Sequence, residues 1–277
     1  MSATGRSALS NVVRLTMRHA GASCQERTVP EETPVAFSFG GSTHAVMMAS
    51  PMDLEDFARG FCITEGIVAS VDEIGEICIE DHGAGLDIQI VLRDAANRRF
   101  ETRRRRLAGP VGCGLCGIES IEEAMRSVPK VGSPAVFLSD KDVVQAVRLL
   151  SQMQPLHRQT GAAHAAGFYT PNSGIVMARE DVGRHNALDK LAGALALRDI
   201  KGKTGAVVIT SRVSVEMIQK SAAIGTSFVI AVSAPTALAV RTAENAGITL
   251  IALVRGDEFD VFTFSQSIQV GAPIIVA

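Results

Sequence analysis

The chain has 277 residues, 47% of them hydrophobic, and a formal charge of −2 at neutral pH. At roughly 100–200 residues per domain it holds one large or two ordinary domains with a sizeable core. The near-neutral charge excludes a chain that binds polyanions over its whole surface, so any basic site is local. Trp is absent and Tyr occurs once; residues that stack on bases are scarce, and no nucleic-acid partner is expected. No window approaches about 18 uninterrupted apolar residues, so no membrane span or membrane partner is expected. The five cysteines are an odd number in a large chain, which argues against a disulfide framework. The first residues show no apolar secretory core. A cytoplasmic location is the expectation, where thiols stay free for metal binding or catalysis.

Residues 1–30 are polar and poorly periodic and read as a flexible tail. Residues 31–130 read as a smaller mixed α/β domain that ends in a Cys-x-x-Cys loop. Within it, residues 53–66 form a short helix: Leu54, Phe57, Ala58, Phe61 and Cys62 fall at helical spacing and Gly66 ends it. Cys62 reads as core, because a free cysteine packs as a small hydrophobe. Residues 86–92 alternate like a strand, 94–97 turn, and 98–106 return as the second strand of a basic hairpin. The glycine and proline density of 109–117 means loop. A short helix over 118–127 and a linker over 128–134 follow. Residues 135–277 read as a second domain. Ser139 with Asp142 starts a helix through Met153 in the manner of a capping box, and 184–197 is a helix. Strands at 206–209, 228–232 and 248–254 then alternate with helices at 215–224 and 236–246. That β-α-β-α-β order, with continuously apolar strands, argues an α/β fold with a parallel sheet covered by helices.

Cys113-Gly-Leu-Cys116 is the sharpest chemical feature. Two thiols two residues apart reach each other or one metal ion. The reactive species is thiolate, and nearby positive charge such as Arg103 to Arg106 lowers a thiol pKa. Glycines 112, 114 and 117 let the backbone approach a partner closely. Three readings stay open: a structural zinc site, which needs further ligands; a thioredoxin-like dithiol; and a thiol that carries sulfur as persulfide. A zinc deaminase is disfavoured, since none of the six histidines begins the required His-x-Glu.

Glu180-Asp-Val-Gly-Arg-His-Asn-Ala-Leu-Asp-Lys190 concentrates polar residues at a helix start. Asp181 as a cap, with Asp189 and Lys190 on the surface, is the bland explanation. Capping does not require Arg184, His185 and Asn186 together, and helix N-termini bind anions, so a ligand role is expected. The loops 210–214, 233–236 and 255–257 follow the carboxyl ends of the three parallel strands. Open α/β sheets bind ligands at that edge. Hydroxyls with Arg212 and Arg255 suit a phosphate, which arginine grips with a planar fork.

Taken in order, these segments resemble the FdhD family of formate dehydrogenase accessory sulfurtransferases. The resemblance runs through Ser50-Pro-Met-Asp-Leu-Glu-Asp-Phe-Ala-Arg-Gly-Phe61, Glu65-Gly-Ile67, Cys113-Gly-Leu-Cys-Gly117, Thr160-Gly-Ala-Ala-His-Ala-Ala166, residues 180–187 and Ser233-Ala-Pro-Thr-Ala-Leu-Ala239. It implies a cytidine-deaminase-like three-layer α/β core, in a homodimer, beside the smaller domain with its basic hairpin. It implies a sulfur carrier that takes persulfide sulfur from a cysteine desulfurase. The sulfur passes to the molybdenum cofactor in its bis-guanylate form (Mo-bis-molybdopterin guanine dinucleotide) before insertion into the formate dehydrogenase catalytic subunit. By the resemblance Cys113 carries the persulfide and Cys116 is the partner thiol. The cofactor-binding stretch is Leu253, Val254, Arg255, Gly256, Asp257 and Glu258, with Arg212, Arg184 and His185 as further contacts. The cofactor is a bound substrate, and no resident metal is expected. Leu253 stands where the family usually has Phe, and Glu258 where a basic residue is common. The rival is a non-catalytic molybdenum-cofactor chaperone whose cysteine pair clamps a metal.

Overall fold

The computed structural model describes residues 5–19, 21–107, 128–269 and 271; of 103–107 only the backbone is described. Strands β1 (Leu9–Arg18) and β2 (Gly21–Pro30) pair antiparallel over their full length. Residues 9–18 and 21–30, expected as part of a tail, therefore pair as a hairpin. Its polar composition fits, because most of its residues are exposed and few contribute to a core. Arg27 anchors it by donating to the Thr160 carbonyl oxygen at 3.0 Å.

A four-stranded sheet with its own core follows, built from β3 (Thr33–Phe39), β4 (Ser42–Ala49), α1 (Leu54–Thr64), β5 (Ile74–Asp81), β6 (Leu86–Leu92) and α2 (Asp94–Leu107). The strand order is β4-β3-β6-β5. One face buries Val35, Phe37, Ile88 and Ile90 against Phe57 and Phe61 of α1 and Phe100 of α2. The basic hairpin expected over 86–106 is corrected here: its first half is β6, but the second half belongs to helix α2. The physical reason lies in the spacing. Ala96 and Phe100 stand four apart and both are buried, which is a helical period, and arginine is a good helix former. The Asn97 N–H donates to the Arg93 carbonyl, so 94–97 is a first helical turn rather than a strand turn.

Residues 128–134 have no regular structure, yet the Val131 N–H donates to Ala246 O and the Ser227 hydroxyl to Gly132 O. The chain continues with β7 (Leu138–Ser139), α3 (Asp140–Gln152), α4 (Pro155–Thr160), β8 (His164–Thr170), β9 (Gly174–Asp181) and α5 (Arg184–Leu197). It continues through β10 (Ala206–Ile209), α6 (Val215–Ile224), β11 (Phe228–Ala231), α7 (Ala237–Ala246), β12 (Thr249–Arg255), β13 (Glu258–Val261) and β14 (Ile268–Gln269). Ser139 and Asp142 form the reciprocal capping box that opens α3. The main sheet runs β13-β12-β11-β10-β8-β9, with β10, β11 and β12 parallel and the flanking strands antiparallel.

Alternate residues of each strand face opposite ways. Val207, Ile209, Val229, Ala231 and Leu250 bury against α5, α6 and α7. Ala206, Val208, Phe228, Ile230 and Ile251 bury against Val143, Ala146 and Leu150 of α3. The result is three layers, as expected, in a mixed rather than purely parallel sheet.

Candidate functional site

The polar residues of the 180–190 segment divide into two groups. The first joins α5 and α6 to α1 and the residue Ser50 before it. Asp181, fully buried, accepts from the backbone N–H of Ser50 at 3.0 Å, from Gly183 N at 2.8 Å and from Asn186 Nδ2 at 2.9 Å. Lys190, also fully buried, donates to Asp181 Oδ2 at 2.6 Å and Ser50 O at 2.9 Å. Asp189 accepts from the Thr64 hydroxyl at 2.6 Å and from Lys220 Nζ at 2.9 Å. Lys220 also reaches Glu65 Oε1 at 2.7 Å. Burial pushes the Asp189 carboxyl upward while Lys220 and Thr64 pull against it. Burial opposes the charge on Lys220, but Asp189 and Glu65 outweigh it and its pKa is raised. The N-cap of α5 is Gly183, not Asp181, and Asp189 and Lys190 lie in the interior rather than on the surface.

Helices α1 and α5 cross at backbone contact. A Cβ on Gly60 would lie 1.7 Å from the Asp189 carbonyl oxygen, and one on Gly193 would lie 1.9 Å from Asp56 O. Arg179 closes the joint with 2.9 and 2.6 Å hydrogen bonds to Asp56 Oδ2. Cys62, on the same helix, is core: burial pushes its thiol up to about 12.

The second group faces the carboxyl edge of the sheet. Arg184 and His185 occupy the first turn of α5, and neither Arg184 Nε nor His185 Nε2 has a hydrogen-bond partner among the described residues, although both atoms are enclosed. Glu216, in the first turn of α6, stands 3.9 Å from His185 Nε2. The Ser214 hydroxyl beside it holds the Glu216 carboxyl below its usual range. Burial, with Arg184 next, depresses His185. His164, at the start of β8, is depressed by burial and then by Arg184 and His157. Sequence reading had not singled out His164 or Glu216 as site residues; a lone polar residue at an element's first turn gives no distinctive pattern.

The strand-end loops are tied into one ledge. The Ala165 N–H donates to the Thr210 hydroxyl at 2.9 Å, Val213 N to Ala234 O at 3.1 Å, and Thr236 N to Val213 O at 2.9 Å. Arg212 is exposed on that ledge. Leu253 has a left-handed backbone, φ 58°, at a bulge where the β12–β13 register shifts between Ala252 and Arg255. Val254 is buried on the α3 side. Arg255 ends β12, Gly256 and Asp257 turn, and Glu258 opens β13; all four are exposed. Asp257 lines a groove of about 460 Å³ with α3 residues including Lys141 and Arg148. That layer lies across the sheet from His185, so the structure puts Asp257 and His185 at one edge but on opposite faces.

Cys113 and Cys116 lie outside the described residues, as does the helix expected over 118–127. Among the described residues, no group of three or more His, Cys, Asp or Glu could hold a metal ion. No helix among them is long and apolar enough to cross a membrane.

The FdhD/NarQ family matches residues 30–269, a span that contains every candidate site residue. The chain belongs to that family. The sulfur carrier protein FdhD of Agrobacterium fabrum is 55% identical over 257 residues, 93% of this chain and 95% of its own. Its counterpart in Cupriavidus necator is 49% identical over 242 residues, 87% of this chain and 83% of its own. A Desulfotalea psychrophila crystal structure, of a protein described as a formate dehydrogenase accessory protein, matches with TM-score 0.75 at 25% identity. The match covers 95% of this chain and all of that one. The FdhD/NarQ span begins at the last residue of the β1–β2 hairpin, so most of that hairpin precedes it.

Proposed function

We propose that this FdhD/NarQ protein is a cytoplasmic sulfurtransferase. It accepts persulfide sulfur from a cysteine desulfurase and passes it to the bis-guanylate molybdenum cofactor before insertion into the catalytic subunit of formate dehydrogenase. The supporting observation is the near full-length similarity to proteins named sulfur carrier protein FdhD, together with cationic and imidazole nitrogens at the sheet's carboxyl edge that have no partner among the described residues.

In this reading the Cys113 thiolate attacks the terminal sulfur of the desulfurase persulfide. A new S–S bond forms on Cys113, the donor S–S bond breaks, and the desulfurase cysteine leaves as thiolate, with no external oxidant or reductant. Such exchange is fast when the attacking group is ionised and the leaving thiol is acidic. Cys116 is the partner thiol that stabilises the persulfide or releases the product. The guanylate phosphates of the cofactor, which is substrate and not a resident group, meet Arg184, His185, Arg212 and Arg255 at the carboxyl edge. Leu253, Val254, Gly256, Asp257 and Glu258 shape its rim. The protein works as a homodimer.

The test is peptide-resolved mass spectrometry after incubation with a desulfurase and cysteine. The Cys113 peptide gains one sulfur that reductant removes, and the Cys113→Ala protein, folded as the parent is, transfers none. Full transfer by that variant would overturn the assignment.

A further inference from the structure

The β1–β2 ribbon precedes the FdhD/NarQ span except for Pro30, and its two faces differ. Across the ladder Val13 pairs with Glu26, Leu15 with Cys24 and Met17 with Ala22, so these six share one face. Val12, Arg14 and Thr16 share the other with Arg27, Gln25 and Ser23. The arginine face meets the body of the protein. Arg27 donates to Thr160 O at 3.0 Å, and Arg14 Nε and Thr16 Oγ1 are enclosed, with no hydrogen-bond partner among the described residues. The apolar face points away: Val13 is 74% exposed, Leu15 62% and Met17 73%. A facing shifted by one residue would have exchanged the two sets. The fold instead turns arginine inward and keeps a row of large apolar side chains outside, with Glu26 the one charge among the six.

We propose that this face is where two copies of the chain meet, ribbon against ribbon, about a two-fold axis that passes near the Leu15–Cys24 pair. It rests on the homodimer of the proposed function and names the surface that forms it. Two reasons select a second copy as the occupant. A two-stranded ribbon is marginal alone in water, and stacking on its own copy gives four strands around an apolar layer that both supply. The face is also nearly uncharged, which is the composition of a homodimer interface core. Area sets the strength. Ten pairs run about 34 Å, with the strands about 4.8 Å apart. With their side chains, two such faces bury on the order of 1,000 Å² together, the threshold for a specific interface. A contact of that size depends on concentration. Dilute protein is mainly monomer with Cys24 open, and concentrated protein is mainly dimer with Cys24 covered.

The test is alkylation of the full native chain by excess N-ethylmaleimide at about 1 μM and about 100 μM protein. Each cysteine is followed by peptide mass spectrometry, and sedimentation velocity is run beside it. For a dissociation constant of about 10 μM the Cys24 rate falls about fourfold between the two concentrations. Cys78, exposed on β5, keeps its rate. Leu15→Asp, which sets a carboxylate at the centre of the contact, sediments as monomer at both concentrations and labels Cys24 at one rate. The parent's rates decide the matter even where the Leu15→Asp ribbon fails to pair. A parent that is dimeric at about 100 μM, with Cys24 reacting as fast as at about 1 μM, overturns the proposal and leaves the homodimer on another surface. Leu15→Asp protein that stays dimeric overturns it as well. A parent that is monomeric at both concentrations removes the homodimer too, and leaves sulfur transfer to the Cys113 test.

Discussion

Cys62 and the exposed Cys24 and Cys78 show how burial decides what a thiol can do. Only thiolate is nucleophilic, and a thiol pushed up to about 12 has essentially none at neutral pH. Alkylation of the native protein labels Cys24 and Cys78 quickly, whereas Cys62 reacts only after denaturant is added; native labelling of Cys62 would contradict its place in the core. The same contrast means that sulfur added by a desulfurase has to be located peptide by peptide, since two accessible thiols lie outside the Cys-x-x-Cys pair. Cys62 was legible as core from helical spacing alone. The 180–190 segment was not legible in full. Its density of polar residues pointed to a ligand; Arg184 and His185 stand at the carboxyl edge of the sheet, whereas Asp181, Asp189 and Lys190 are spent on contacts with Ser50 and α1. Their partners Ser50 and Thr64 lie 131 and 125 positions away, so no local pattern announces the pairing.

Elements with a strong period were readable. Helices α5 and α6 and the strands β10, β11 and β12 fall where apolar spacing and bounding glycines place them, because their burial is two-sided and local. Helix α2 was not readable as helix, since Ala96 and Phe100 are its only apolar anchors among its described side chains. The change matters for the arginines: a helix spreads consecutive residues by about 100° each, where a strand would have set them alternately on two faces. Glycine at the α1–α5 crossing carries a sharper consequence. With the Asp189 carbonyl oxygen 1.7 Å from a Gly60 Cβ, and that atom belonging to backbone, neither helix can yield by a rotamer change. Gly60→Ala is expected to destabilise the protein by about 3 kcal/mol, the upper range for overpacking. Urea unfolding measures it, and a loss under about 0.5 kcal/mol, typical of surface substitutions, would show that the crossing tolerates separation.

Among the described residues, the buried Asp181, Asp189, Lys190 and Lys220 stand in oppositely charged pairs. The Lys190–Asp181 pair also binds Ser50, and the Lys220–Asp189 pair also binds Thr64 and Glu65, which ties α5 and α6 to α1 and the residue Ser50 before it; removing one partner of such a pair strands the other in the interior. Strong coupling between burial and protonation makes the fold sensitive at alkaline pH. The Tyr169 hydroxyl donates to Asp142 Oδ1 at 2.7 Å beneath α3. Burial and that carboxylate raise the phenol well above the ordinary tyrosine range. Lys220 is raised as well. In both cases the folded protein holds a proton that the unfolded chain releases above about pH 10, so stability is flat below that value and falls as pH rises beyond it. Because the chain has one tyrosine and no tryptophan, phenolate absorbance reports this single group. The expected result is no phenolate signal where free tyrosine titrates, followed by its appearance together with the loss of helical circular dichroism. Tyr169→Phe leaves Asp142 one donor short, costs about 1 kcal/mol at neutral pH and makes the alkaline decline shallower. A phenolate that forms near pH 10 while the helices persist would mean that the α3 layer opens on its own, without unfolding of the sheet behind it.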